Sequence, residues 1–316
     1  MATLLVIGGS GFFGKSILDM FQRGGLAKWD VDKVIAMSRS ANRLKTENPE
    51  LVRDNVELIE ADIATANYLP EADFVIHAAA STDARNYIFA GQKERENIQA
   101  STINYCRLAK KFKINTKTLY VSSGAVYGTQ PAEISNLNEL YGLKDPNDIP
   151  DNKRDYALAK RDAEGLIREL GEEDISVSIA RCFAFVGKYL PRDQHFAIGN
   201  FIADGLAGRP IKVKANHLVY RSYMYADDLV EWMMEIMVNA NSQCPIFNVG
   251  SDQAVSMSEL AKKIATYFGV IVDSEAIDSE KVDRYVPSVL KAHDELGLNC
   301  KFDLDQAIDL TVSKHV

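Results

Sequence analysis

Tyr156 and Lys160 lie four residues apart in DYALAK, and Ser122 and Ser123 precede them in YVSSGAVYG. On a helix, positions i and i+4 share a face, so this phenol and this ammonium would stand side by side. A free phenol ionises near pH ~10 and is a poor base at neutral pH. An adjacent ammonium favours the phenolate and would bring that value down. Such a phenol can give a proton to a sugar ketone or take one from a sugar hydroxyl. A serine at a strand end could bond the same oxygen and fix its position. A tyrosine–lysine pair at this spacing is common on helix surfaces, so the elements around it must carry the reading.

A second motif supplies that context. VIGGSGFFG places Gly8, Gly11 and Gly14 between an apolar run and a helical pattern, with Phe12 and Phe13 inside the loop. A tight turn here needs glycine, close approach to a pyrophosphate needs a missing Cβ, and the helix N-terminus favours an anion. A dinucleotide site is also expected to carry a carboxylate after the second strand, on the adenosine ribose. VIAMSRSANR offers Ser38, Arg39, Ser40 and Arg43 instead. Donors and positive charge suit a 2′-phosphate, so NADP is expected in preference to NAD. The competing reading has Arg39 stacked on adenine or facing solvent, with NAD bound.

The elements that must position these residues follow an α/β rhythm. Strands are expected at Thr3–Ile7, Lys33–Met37, Val56–Glu60, Asp73–His77, Thr118–Val121 and Ser176–Arg181. Helices are expected at Lys15–Arg23, Lys93–Lys111 and Asp155–Leu170. Short apolar strands alternating with helices predict a doubly wound parallel sheet over residues 1–180. After Arg181 the rhythm changes, and residues 181–316 read mainly as a smaller α/β substrate domain, with some segments returning to the first. Within it, helices are expected near Ile198–Ala207, Asp227–Val238 and Met257–Phe268, the last capped at Ser256 or Ser258.

Composition bounds the function. The 316 residues are 47% hydrophobic and carry a net charge of −8, which argues against a general nucleic-acid binder. Cys106, Cys182, Cys244 and Cys300 are scattered, and the five histidines show no ligand spacing, so neither disulfides nor a metal are expected. No apolar run approaches the ~18 residues of a membrane helix, and MATLLVIGG reads as a strand, not a signal peptide. The expectation is a cytoplasmic protein.

The glycine spacing, HAAA, SSGAVYG, YALAK, ARCFAFVG, RSYMYADDLV and FNVGS stand in the order of the extended short-chain dehydrogenase/reductases. The chain resembles the NAD(P)-dependent epimerase/dehydratase family acting on nucleotide sugars, over nearly its whole length. The resemblance implies a Rossmann-like fold and assigns roles. Ser123 matches the catalytic serine or threonine, with Ser122 its neighbour. Tyr156 matches the acid/base, and Lys160 the residue that lowers its pKa and holds the cofactor ribose. Asp62, beside Ile63, is implied to contact adenine, and Ala78, Ala79 and Ala80 to lie along the cofactor. Asn97 is implied to support strand geometry. Arg221 is implied to grip a diphosphate, for which its planar, always-charged fork is suited. His195 is a candidate second acid or base, and Asn200 a candidate phosphate or base contact. Family members also imply a homodimer through two helices, here Lys93–Lys111 and Asp155–Leu170.

The reaction narrows by subtraction. Dehydratases of this family carry an Asp-Glu pair directly after the catalytic serine, decarboxylases a nearby glutamate, and reductive 3,5-epimerases a cysteine. Gly124 and Ala125 stand there, and neither can transfer a proton. A 4-keto reductase using exchangeable cofactor is favoured. A 4-epimerase that keeps its cofactor bound, and a non-catalytic dinucleotide sensor, are the alternatives.

Overall fold

The computed structural model describes residues 1–80, 84–112, 116–194, 196–277 and 279–313. Seven parallel strands form one sheet: β1 (Ala2–Ile7), β2 (Val31–Ser38), β3 (Val56–Glu60), β4 (Phe74–His77), β5 (Lys117–Ser123), β6 (Val177–Cys182) and a later strand, Ile246–Val249. Running across the sheet from that later strand, the order is β6, β5, β4, β1, β2, β3. Strand direction of travel therefore reverses between β1 and β4. In doubly wound sheets the ligand crevice opens at that switch point, beyond the carboxyl ends of the strands.

Both faces of the sheet are covered, and the strands show it residue by residue. Leu4 and Val6 of β1 enter one apolar cluster, and Leu5 and Ile7 enter another. Alternate side chains point to opposite faces, so a strand buried on both sides must be apolar throughout. The first cluster is closed by α1 (Phe12–Gln22) and by a helix from the second half, Ala226–Val238, through Leu229, Trp232 and Met233. Between α1 and that helix in sequence come the short α2 (Leu44–Glu47), α3 (Ala84–Phe112), α4 (Asp151–Gly171) and α5 (Ala197–Leu206). The second cluster is closed by α3, kinked at Ala90, and α4. On α4, Ala159, Ala163, Ile167 and Leu170 form the buried stripe expected of a helix lying on a sheet.

The rest of the chain builds a lobe beside the carboxyl ends of β5 and β6. It contains β7 (Phe185–Val186), β8 (Ile211–Val213), β9 (His217–Arg221) and β10 (Met224–Tyr225) before α6 (Ala226–Val238) and β11 (Ile246–Val249). β12 (Val255–Ser256), α7 (Met257–Phe268), β13 (Val272–Ser274), β14 (Ser279–Tyr285), α8 (Leu290–Leu296) and α9 (Leu304–Ser313) follow. Ser256, not Ser258, caps α7, in a reciprocal box with Glu259. A three-stranded sheet, β12-β9-β14, carries Arg221 and Tyr285 in register. No helix among the described residues is long and apolar enough to cross a membrane, and no group of His, Cys, Asp or Glu there could hold a metal.

Candidate active site

The glycine loop follows β1 directly. Gly8 takes φ +97°, a left-handed conformation that side chains disfavour. A Cβ there would also lie 2.8 Å from the Ala78 carbonyl oxygen, so the turn after β1 and the alanines after β4 meet backbone to backbone. A Cβ on Gly14 would collide with the Gly9 carbonyl. Gly11 is the N-cap of α1, where no side chain caps the helix and no acid lies in the first turn. The first-turn amides therefore face outward as an anion site at the switch point. This cradle fits a dinucleotide pyrophosphate.

Other expected cofactor residues divide between side chain and backbone. The rings of Phe12 and Phe13 turn inward onto Phe185, at centroid distances of 6.4 and 5.5 Å, which leaves their backbone for the ligand. Ile63 is buried in the core and its carbonyl accepts from the Asn104 amide (2.6 Å). Asp62 accepts from the Ala64 amide (2.9 Å) and shapes the turn after β3. Ala78, Ala79 and Ala80 are half-buried along the crevice. Ser38 donates to Ser10 (2.9 Å), which also contacts Ser40 (3.2 Å). Arg39 is exposed, whereas Arg43 is held by Glu47 (2.8 Å). A carboxylate does approach this corner from the neighbouring strand: Glu60 pairs in register with Ser38 and accepts from the Asn42 amide (3.1 Å).

Ser123, Tyr156 and Lys160 converge at the end of β5. Ser123 is buried, and its oxygen accepts from the Ala125 amide (3.2 Å). Tyr156, half-buried on α4, hydrogen-bonds Ser123. Lys160, one turn on, is buried and donates to the Val121 carbonyl (2.8 Å) and to Tyr120 (3.4 Å). The electrostatics differ from the expectation. Burial pushes the Tyr156 hydroxyl up to about 12, with the Ser123 bond opposing and the Cys182 thiol adding to the rise. Burial pushes Lys160 down to about 8, with Cys182 and Glu164 opposing. Desolvation thus dominates at Tyr156, and the Lys160 ammonium is directed at the Val121 carbonyl of β5. His77 beneath is driven down to about 4 by burial and by Lys160, so it adds no charge at neutral pH.

Several expected partners are engaged elsewhere. The Ser122 hydroxyl points away from Ser123 and donates to buried Glu164 (2.6 Å), as strand alternation requires. Glu164 in turn pairs with buried Arg181 (2.7 Å). The Ser122 side chain is thus engaged by Glu164 on the face of β5 opposite Ser123. Asn97, implied to support strand geometry, is exposed on α3. The Asn200 amide donates to the Gln194 carbonyl (2.8 Å) and fixes that loop. Arg221 is paired with Asp283 (3.1 Å). His195 lies outside the described residues.

One residue at this centre escaped the sequence reading. The Tyr285 hydroxyl lies 3.4 Å from Ser123 and donates to the Cys182 carbonyl (3.4 Å), its ring 4.6 Å from Phe183. Only strand pairing brings it there, since Tyr285 is 162 positions from Ser123 in the chain. Phe183 also explains Gly124. A Cβ at position 124 would lie 2.6 Å from the Phe183 ring. Arg161 secures this loop by donating to the Val126 (2.8 Å) and Lys144 (2.7 Å) carbonyls.

Fold and site together define a Rossmann-like enzyme of the dinucleotide-dependent class. The chain belongs to the NAD dependent epimerase/dehydratase family, whose model matches residues 4–250. It is 27% identical to UDP-glucuronic acid decarboxylase 2 of Arabidopsis thaliana over 312 residues, 98% of this chain and 67% of that one. It is 25% identical to UDP-glucuronic acid decarboxylase 6 of the same plant, covering 97% of this chain and 87% of that one. Among solved structures, the fold matches DesIV, a dTDP-glucose 4,6-dehydratase of Streptomyces venezuelae with NAD bound. That match has TM-score 0.82 and 19% identity, over 99% of this chain and 98% of that one. UDP-glucose 4-epimerase of Thermotoga maritima gives TM-score 0.80 at 19% identity, over 99% and 98%. The family description and the dehydratase structure name NAD, so the expected NADP preference finds no support among them.

Proposed function

We propose that this protein reduces a 4-keto nucleotide sugar, with Tyr156 giving the proton to the C4 oxygen. The observation that carries the reading is the mix of groups around Ser123: two phenols, a buried ammonium and no acid at positions 124 or 125. Such a set can hold and protonate one oxygen. It lacks the second acid and base that removal of water across C5–C6 requires. A bound nicotinamide would supply or accept the hydride at C4. Ser123 would position the substrate oxygen, Lys160 would hold the ribose, and Arg221 would bind the diphosphate. Exposed Arg39, beside the Ser10–Ser38–Ser40 hydroxyls, supports NADP as the reductant. The exposed face of α3, which includes Ile103, supports a homodimer through α3 and α4.

The names of the relatives favour a second reading, decarboxylation of UDP-glucuronate, in which the same phenol would first take a proton from the 4-hydroxyl. One experiment separates the two. The protein is incubated with UDP-glucuronate, and separately with 4-keto nucleotide sugars plus NADPH or NADH. Net consumption of reduced cofactor supports the reductase, and CO2 release from UDP-glucuronate without it supports the decarboxylase. Interconversion at C4 without net cofactor use would establish the epimerase. Tyr156→Phe should lower whichever turnover is found by at least ~100-fold. Full activity of that variant would remove Tyr156 from the chemistry and reopen the sensor reading.

A further inference from the structure

We infer that Asp283 is a built-in competitor for the substrate's diphosphate: it occupies Arg221 in the substrate-free protein and must be displaced when the diphosphate binds. The inference rests on the diphosphate role proposed for Arg221 and adds what sets its strength.

The geometry begins at the reacting centre. Tyr285 touches Ser123, and Tyr285 and Arg221 are register partners on β14 and β9. Asp283 lies two residues before Tyr285 on the same strand, so both side chains project from one face, about 7 Å apart along the strand. A nucleotide sugar with its C4 oxygen near Ser123 and its chain running along this face would bring its phosphates to Arg221 and Asp283. That place already holds an anion. The Arg221 Nη2 lies 3.1 Å from one Asp283 carboxylate oxygen, and Nη1 lies 3.3 Å from the other. Such a fork-to-fork pair is the arrangement a phosphate would adopt with the same guanidinium. Nη1 also donates to the Tyr220 carbonyl (2.7 Å), which holds the arginine in place independently of the carboxylate.

The charges around the pair agree with this placement. Lys153, on the first turn of α4, and His217, on β9, face Asp283 along with Arg221, and together they hold its carboxyl below the usual range despite burial. One acid is therefore surrounded by groups suited to an incoming anion. Both partners are half-buried, with side-chain exposures of 22% and 26%, so a ligand can reach them. Any stability the pair gives the free protein is subtracted from ligand affinity, since only the opened arginine is competent.

The test is calorimetric titration of cofactor-saturated protein with UDP, dTDP, GDP and CDP, each beside its own nucleoside. Asp283→Asn is nearly isosteric, and a thermal melt confirms its fold. Asp283→Ser serves as a second variant. The diphosphate that binds best should bind Asp283→Asn about tenfold more tightly, its nucleoside should show no gain, and KM for the substrate should fall more than kcat changes. The gain should vanish in the Arg221→Met/Asp283→Asn double variant. Unchanged or weaker diphosphate binding by both single Asp283 variants would overturn the inference and make Asp283 an acceptor for a ligand hydroxyl or amine. If Arg221→Met alone leaves diphosphate affinity intact, the diphosphate role of Arg221 fails and the inference falls with it.

Discussion

Lys160 shows how a single residue trades stability for chemistry. Its amine titrates near 8 in the folded protein, below the 10.5 of a free lysine, because burial disfavours the charge. Folding therefore favours the neutral form. The corresponding stabilisation is complete above pH 10.5 and is lost as pH falls through 8. At neutral pH the buried ammonium costs on the order of 3 kcal/mol. Lys160→Met should accordingly melt several degrees higher at pH 7 while losing activity, which calorimetry and turnover assays would show together. The same pKa sets the sign for ligand binding. Dinucleotide affinity of the wild-type protein should fall as pH rises above 8, when the ammonium is lost, and the methionine variant should show no such step. A flat wild-type profile between pH 7 and 9 would argue against a cationic role for Lys160.

At the scale of elements, α4 must be held in register against β5 and β6 for its phenol to meet Ser123. The buried Glu164–Arg181 pair does this one turn beyond Lys160, with the Arg181 guanidinium also 4.8 Å over the Tyr127 ring. Glu164→Gln leaves Arg181 buried without a counter-ion and should cost about 3–5 kcal/mol in denaturant titration. Replacing both by methionine should recover most of that stability, and recovery of turnover would then show how closely α4 must be held. The loop after β5 makes a second prediction. Installing the dehydratase pair as Gly124→Asp with Ala125→Glu should destabilise by about 1–3 kcal/mol, because the new Cβ meets the Phe183 ring. It should also yield no dehydratase activity unless position 183 is made smaller. The acid pair and the aromatic at 183 are therefore linked choices.

For the whole molecule, the proposed dimer places α3 and α4 of two copies together. Ile103, 53% exposed on α3, would be covered there, so Ile103→Glu should give a monomer by light scattering with the fold unchanged. The doubly wound sheet, the glycine cradle and the Ser123–Tyr156–Lys160 constellation were all legible in the sequence. The sheet, the glycine turn and the Tyr156–Lys160 face depend on local rules, namely apolar strands, glycine at a turn and i,i+4 spacing on a helix, whereas Ser123, 33 residues before Tyr156, was picked out by the family resemblance. The return of β11 to the sheet was only partly legible, since a short apolar strand does not declare its neighbours. What the chain alone could not reveal were the contacts made by distant strands. Tyr285 at Ser123, Asp283 on Arg221, Phe183 over Gly124 and Glu60 beside Ser38 all arise from pairing or packing between segments that carry no mutual signal. Nor could it set the balance at Tyr156, where the sequence places an ammonium nearby but only the tertiary structure fixes burial and direction. Spacing along one element determines which groups can share a face; the fold decides how deeply they are desolvated and what else reaches them.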